Sequence, residues 1–127
     1  MRPLFFLTFI CLLFGGSAMA ANADAGGEAN IANYQAYCVQ CHGLQGTGKG
    51  LNVRDMSVQP RDHSDAKTMS ARSDEDLFKV IKEGGLAANK SVLMPAWKDT
   101  LTDAEITGLV QLLREKCGCS YGAGGAP

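Results

Sequence analysis

The chain has 127 residues, with 12 basic against 13 acidic side chains and a formal net charge of −1. A composition that is 46% hydrophobic and 20% charged is that of a globular protein, and the near balance of charge excludes the basic footprint of a nucleic-acid binder. The length allows one domain, whose small core would gain from the apolar mass of a bound group.

Residues 1–20 have the form of a secretory signal peptide. Arg2 is the only positive charge ahead of an uncharged apolar run over residues 4–14, and Ala18-Met19-Ala20 is a small-x-small cleavage site. The run is shorter than the roughly 20 residues of a membrane span, and no later run approaches that length. Cys11 falls inside it and is read as part of the discarded segment. The small, polar residues 21–27 predict a flexible lead-in.

From Glu28 the pattern turns helical. Ile31, Tyr34, Cys38 and Cys41 recur at spacings of three and four, one stripe of a helix that runs into Cys38-Val39-Gln40-Cys41-His42. Gly43 is placed to stop that helix in a left-handed conformation. A C-x-x-C pair alone fits a redox dithiol, half a metal site or covalent haem attachment. The adjacent His42 favours haem, and no second Cys or His pair offers zinc-ribbon spacing. On one helical turn both sulfurs share a face and can reach the two vinyl groups along one haem edge, while His42 swings its imidazole under the iron.

Residues 44–64 read as irregular. Gly46, Gly48 and Gly50 permit tight turns beside a flat cofactor but make no phosphate loop, because Lys49 is followed by Gly50 and not by Ser or Thr. Pro60-Arg61-Asp62 is a turn that could line the proximal side of the haem, and residues 66–71 suggest a short helical turn. Ser73 followed by three acids predicts a helix start, and Leu77, Val80 and Ile81 give that helix an apolar stripe with Phe78 beside it. Gly84-Gly85 ends it. Residues 86–101 are again irregular and hold Met94-Pro95-Ala96-Trp97. Thr102-Asp103-Ala104-Glu105 is a capping box, and Ile106, Leu109, Val110, Leu112 and Leu113 form the broad apolar face of a last helix that runs to about Lys116. Residues 117–127 are mostly Gly and Ala and predict a mobile tail. Within it, Cys117-Gly118-Cys119 suits a local or intermolecular disulfide better than a catalytic role, with metal capture also open.

The second axial position of the iron decides the chemistry: open for oxygen or peroxide reactions, filled for electron transfer. Its candidates are Met56, Met69, Met94 and His63. Met94 is favoured, because it lies far enough from His42 to wrap to the opposite haem face and Pro95 biases its backbone toward an extended form. His63 is the competitor, otherwise a partly exposed loop residue. Met69 reads as packing, and Met56 stays on the proximal side. Trp97 needs a partner for its indole N–H, a haem propionate or simple packing against the haem.

These residues make the chain resemble the class I c-type cytochromes in their bacterial periplasmic, single-haem form. The resemblance runs from Cys38-Val39-Gln40-Cys41-His42-Gly43 through Pro60-Arg61-Asp62 and the segment from Arg72 to Gly85 to Leu93-Met94-Pro95-Ala96-Trp97 and the helix after Thr102. It implies an all-α cytochrome c fold of three to four helices wrapped around one haem c, with the cytochrome domain over residues 28–116. It also implies Cys38 and Cys41 as thioether sites and His42 and Met94 as iron ligands. In relatives a loop proline carbonyl accepts from the proximal imidazole, and Pro60 is the nearest candidate. The implied function is one-electron transfer in the periplasm, with redox proteins as transient donor and acceptor and no nucleic acid or membrane span involved. The competing readings are a small haem enzyme or sensor with a labile distal ligand, and a thiol-based redox or metal-handling protein built on Cys38/Cys41 and Cys117/Cys119.

Overall fold

The computed structural model describes residues 22–122, with side chains from residue 26 onward; the signal segment expected over 1–20 and residues 123–127 lie outside it. The described residues contain no strand. Five α-helices follow in order: α1 (Asn22–Tyr37), α2 (Val39–His42), α3 (Ala66–Ser70), α4 (Asp74–Ala87) and α5 (Asp103–Cys117), with one 3₁₀ turn at Leu51–Val53. The expected three to four helices become five because the attachment motif forms its own turn, α2, separated from α1 at Cys38. The ladder nearly carries through, since Cys38 N–H donates to Tyr34 O at 2.9 Å and His42 N–H to Cys38 O at 2.9 Å.

Residues 22–27, expected to be a flexible lead-in, form the first turns of α1. Elongating a helix already nucleated by the packed turns around Tyr34 costs far less than starting one, which offsets about 1 kcal/mol lost at each of Gly26 and Gly27.

The frame of the molecule is the crossing of α1 over α5. It is close because Gly108 has no side chain there: a Cβ on Gly108 would collide with the amide of Asn30, lying 2.6 Å from its Cγ. Around this crossing Tyr34, Met69, Ile106 and Leu109 are almost wholly buried. Such burial contributes about 1.5–3 kcal/mol per large apolar side chain. Of the first helix's expected stripe, Tyr34 is buried while Ile31 is 47% exposed, so that helix packs through a narrower seam than its spacing suggested. The face of α5 agrees with its sequence pattern throughout, Ile106, Leu109, Val110, Leu112 and Leu113 all being buried.

Both long C-terminal helices start as their sequences dictate. Ser73 and Asp76 form a reciprocal capping box on α4, and Thr102 and Glu105 do so on α5. The end of α4 is set by Gly84, whose φ of 81° and ψ of 171° break the helix before one further turn. Its main chain there lies against Met94 and Ala96, and Gly85 N–H donates to Met94 O at 2.9 Å. The stop of α4 therefore also anchors the loop that carries Met94.

The start of the tail is not free. Cys117 is buried as the last residue of α5, Gly118 caps the helix in the left-handed conformation, and Cys117 and Cys119 are joined in a disulfide. Gly122 N–H then donates to Ser70 O at 2.9 Å, which seats the segment on α3. Arg114 fixes the same corner, donating to Met69 O at 2.8 Å and to Arg72 O at 2.6 Å and pairing with Asp74. The sequence pattern of small residues missed these backbone and guanidinium contacts.

Candidate haem site

A cavity of about 1130 Å³ lies between α1, α4, α5 and the two irregular segments. That exceeds the roughly 300–1,000 Å³ of ordinary small-molecule pockets. Cys38, Cys41, His42 and Met94 all line it, from elements far apart in sequence. Leu77, Ile81, Leu109 and Leu113 make its apolar wall.

The attachment turn is held from behind by the glycine segment. Gly48 N–H donates to His42 O at 2.9 Å and Gly50 N–H to Cys41 O at 3.0 Å. Gly50 packs directly on the Gln40 carbonyl, where any Cβ would collide with main chain. Cys38 and Cys41 carry free thiols. Burial, with Cys41 adding to it and Lys116 opposing, pushes the Cys38 thiol up to about 11. Redox-active C-x-x-C pairs show the opposite shift, because their chemistry runs through a thiolate.

His42 Nδ1 lies 3.0 Å from the Arg61 carbonyl. A carbonyl only accepts, so Nδ1 bears the proton and Nε2 keeps its lone pair, the tautomer a metal needs. Burial holds His42 below the ordinary imidazole range, the Arg61 bond partly opposing, and so keeps the ring neutral. The acceptor is Arg61 and not Pro60, the nearest proline. The Pro60 carbonyl is instead turned against Gly48, close to where a Cβ would stand.

His63 differs most from expectation. It is not a partly exposed loop residue but is 8% exposed, and its ring is stacked on that of His42, with centroids 4.0 Å apart and planes 16° from parallel. Two ligands trans across an iron would present their nitrogens end to end; these rings lie face to face on one side of the cavity. His63 Nδ1 is 3.2 Å from the Tyr34 hydroxyl. Burial first, then His42, Lys116 and Arg61, holds His63 well below the usual imidazole range. Nothing in the sequence marked this pair, since residues 42 and 63 meet only through the return of the glycine segment, where His63 N–H donates to Gly46 O at 2.6 Å.

Of the three candidate methionines, Met69 is fully buried in the core, as its pattern suggested, and lies outside the cavity wall. Met56 and Met94 both line the cavity. Met94 sits on the loop tied to Gly85, while Met56 belongs to the segment that leads into Arg61 beside His42. Trp97 lines the cavity against Tyr37, ring centroids 5.1 Å apart, and is fastened by its main-chain N–H, which donates to Ile81 O at 3.1 Å. Paired free thiols, a neutral imidazole with a fixed tautomer and a thioether on a separate anchored loop, set around one large apolar cavity, are a donor set that fits a covalently held iron porphyrin.

Comparison with known proteins agrees. Residues 21–113 match the family model Cytochrome_CBB3, described as cytochrome C oxidase, cbb3-type, subunit III. Among solved structures, the chain is similar to the KustC0563 c-type cytochrome at 27% identity and a TM-score of 0.55, over 68% of this chain and 95% of that one. It is also similar to a chain of the Kuenenia stuttgartiensis reducing HAO-like protein complex Kustc0457/Kustc0458, at 31% identity and a TM-score of 0.55. That match covers 70% of this chain but only 41% of the other, so this protein spans less than half of that relative. Among curated proteins, none matches the sequence.

Proposed function

The chain belongs to the c-type cytochromes, in the family described as cytochrome C oxidase, cbb3-type, subunit III, and from that premise we propose that it is a soluble periplasmic electron carrier with one His/Met-ligated haem. Covalently bound haem c supplies one-electron transfer by cycling its iron between ferric and ferrous states. The observation that carries the finer reading is that His42, with its lone pair free at Nε2, and Met94, on a loop anchored to Gly85, line the same cavity.

The chain's own groups have separate tasks. Cys38 and Cys41 retain the cofactor in both oxidation states. The Arg61 carbonyl fixes the tautomer of His42 and raises its basicity as a ligand. The Gly85–Met94 hydrogen bond keeps the thioether in place without a regular element. The apolar wall lowers the local dielectric, and with a thioether ligand this favours the ferrous form and a high potential. Gln40 and Ala96 are exposed, Val39 is half-buried, and Val92 and Leu93 add apolar surface beside Met94. Partners would dock there briefly, over less than about 1,200 Å². No helix among the described residues is long and apolar enough to cross a membrane.

Optical spectra of Met94→Ala test the assignment. The parent should be low-spin and indifferent to carbon monoxide, and the variant should bind it. A variant with unchanged low-spin spectra removes Met94 as ligand, and a parent that binds carbon monoxide favours a haem enzyme or sensor. The family's description and the complex containing one structural relative support a second reading, in which the domain relays electrons inside a larger assembly. The mass of the protein in native periplasmic extract separates the two.

A further inference from the structure

We propose that His63, held by Tyr34, is a positioning residue that sets the plane of the His42 imidazole; this rests on His42 being the proximal ligand. The hydrogen bond from His42 Nδ1 to the Arg61 carbonyl fixes one atom of the ring. It leaves the ring free to pivot about the N–H···O axis. A flat, nearly parallel ring 4.0 Å away blocks that pivot, because any tilt drives one edge of His42 into it.

A plate can do this only if it is itself fixed, and His63 is fixed on three sides. Its Nδ1 is 3.2 Å from the Tyr34 hydroxyl, whose ring meets it edge-on with centroids 6.1 Å apart. Its main-chain N–H donates to Gly46 O at 2.6 Å. The Gly46 main chain lies against the foot of the side chain, close enough that a Cβ on Gly46 would stand 3.0 Å from the His63 Cβ. Tyr34 is clamped in turn: it is 2% exposed, its hydroxyl reaches Gly43 O at 3.3 Å, and Lys116 Nζ lies 4.4 Å over its ring. Lys116 closes the set by donating to Leu44 O at 3.0 Å. The chain α5–Tyr34–His63–His42 thus ties the ligand plane to the helix crossing, and through it to the rigid frame.

In a low-spin ferric porphyrin the orientations of the axial imidazole and of the axial thioether together govern how unpaired spin spreads, so with Met94 unaltered the four haem methyl proton resonances respond to a turn of the His42 ring. His63→Phe keeps a flat plate and should preserve the parent pattern. His63→Leu and His63→Ala remove the plate and should change or compress that pattern while the optical spectrum stays low-spin. Tyr34→Phe leaves the plate but frees it and should move the resonances in the same direction as His63→Leu; it carries the test if the latter variants do not fold. Parent-like methyl resonances in His63→Leu or, failing that, in Tyr34→Phe overturn the proposal while leaving the ligand assignment intact. A parent without an imidazole ligand in its spectra overturns both.

Discussion

At the α1–α5 crossing, Gly108→Ala pits two effects of known sign against each other. Replacing a glycine inside a helix by alanine gains about 1 kcal/mol of helix propensity. Here the added methyl meets the Asn30 amide, with Cγ at 2.6 Å and Nδ2 at 2.8 Å and Oδ1 nearer still. The amide ends a half-buried side chain that can turn out of the crossing only by giving up its packing there, so the middle of the about 1–3 kcal/mol range for overpacking is taken and not its top. The net expectation is a loss of about 1 kcal/mol, which for a domain of this size lowers Tm by about 4–8 °C. Asn30→Ala removes all three clashing atoms. In that background Gly108→Ala should recover the propensity gain, so the double-mutant cycle should show a coupling of about 2 kcal/mol. Denaturant melts of the four ferric proteins measure this, since the covalent cofactor stays attached in folded and unfolded states. A Gly108→Ala variant as stable as the parent with Asn30 in place, or a coupling near zero, would refute the view that bare main chain at this crossing sets the distance between the helices.

Other expectations bear on the site and its supports. Gly85→Ala would press a methyl against the Ser91 carbonyl and to within 3.1 Å of the Met94 Cβ; a main-chain carbonyl cannot swing aside, so the loop should shift and carbon monoxide binding, expected to be absent in the parent, should appear without any change to Met94 itself. Replacing Cys117 and Cys119 by serine opens a very short loop and should cost about 1–2 kcal/mol on the chain-entropy account, read as a lower denaturant midpoint with an unchanged haem spectrum. The Glu105 carboxylate accepts from the Thr102 N–H at 2.8 Å and the Thr102 hydroxyl at 2.7 Å, with Asn33 donating as well, and these bonds hold it below the usual carboxylate range. A depressed folded-state value contributes stability above the unfolded value of about 4.3, and that contribution is lost as pH falls through the lower folded value. Glu105→Gln should therefore flatten the acid limb of a stability–pH profile; an unaltered slope counts against the capping box as its source.

Local rules already determine much of this protein. The C-x-x-C-H run requires two sulfurs and an imidazole on about one helical turn, and that short-range geometry is what α2 shows. Ser73 and Thr102 start their helices because each side chain has a donor three residues on, and the apolar period of α5 fixes its buried face. Tertiary structure decided what depends on chain return. His42 and His63 stack because the glycine segment folds back on the attachment turn, a contact across sequence that no periodicity encodes. Arg61 supplies the carbonyl beside His42 because the nearest proline's carbonyl is turned against Gly48. The disulfide at the start of the tail was one of the options its Cys-Gly-Cys spacing left open, but the seating of the following residues on Ser70 of another helix was not in the sequence. Composition reports propensity, but a segment's order is settled by the partners its backbone groups find, and those are visible only once the chain has closed on itself.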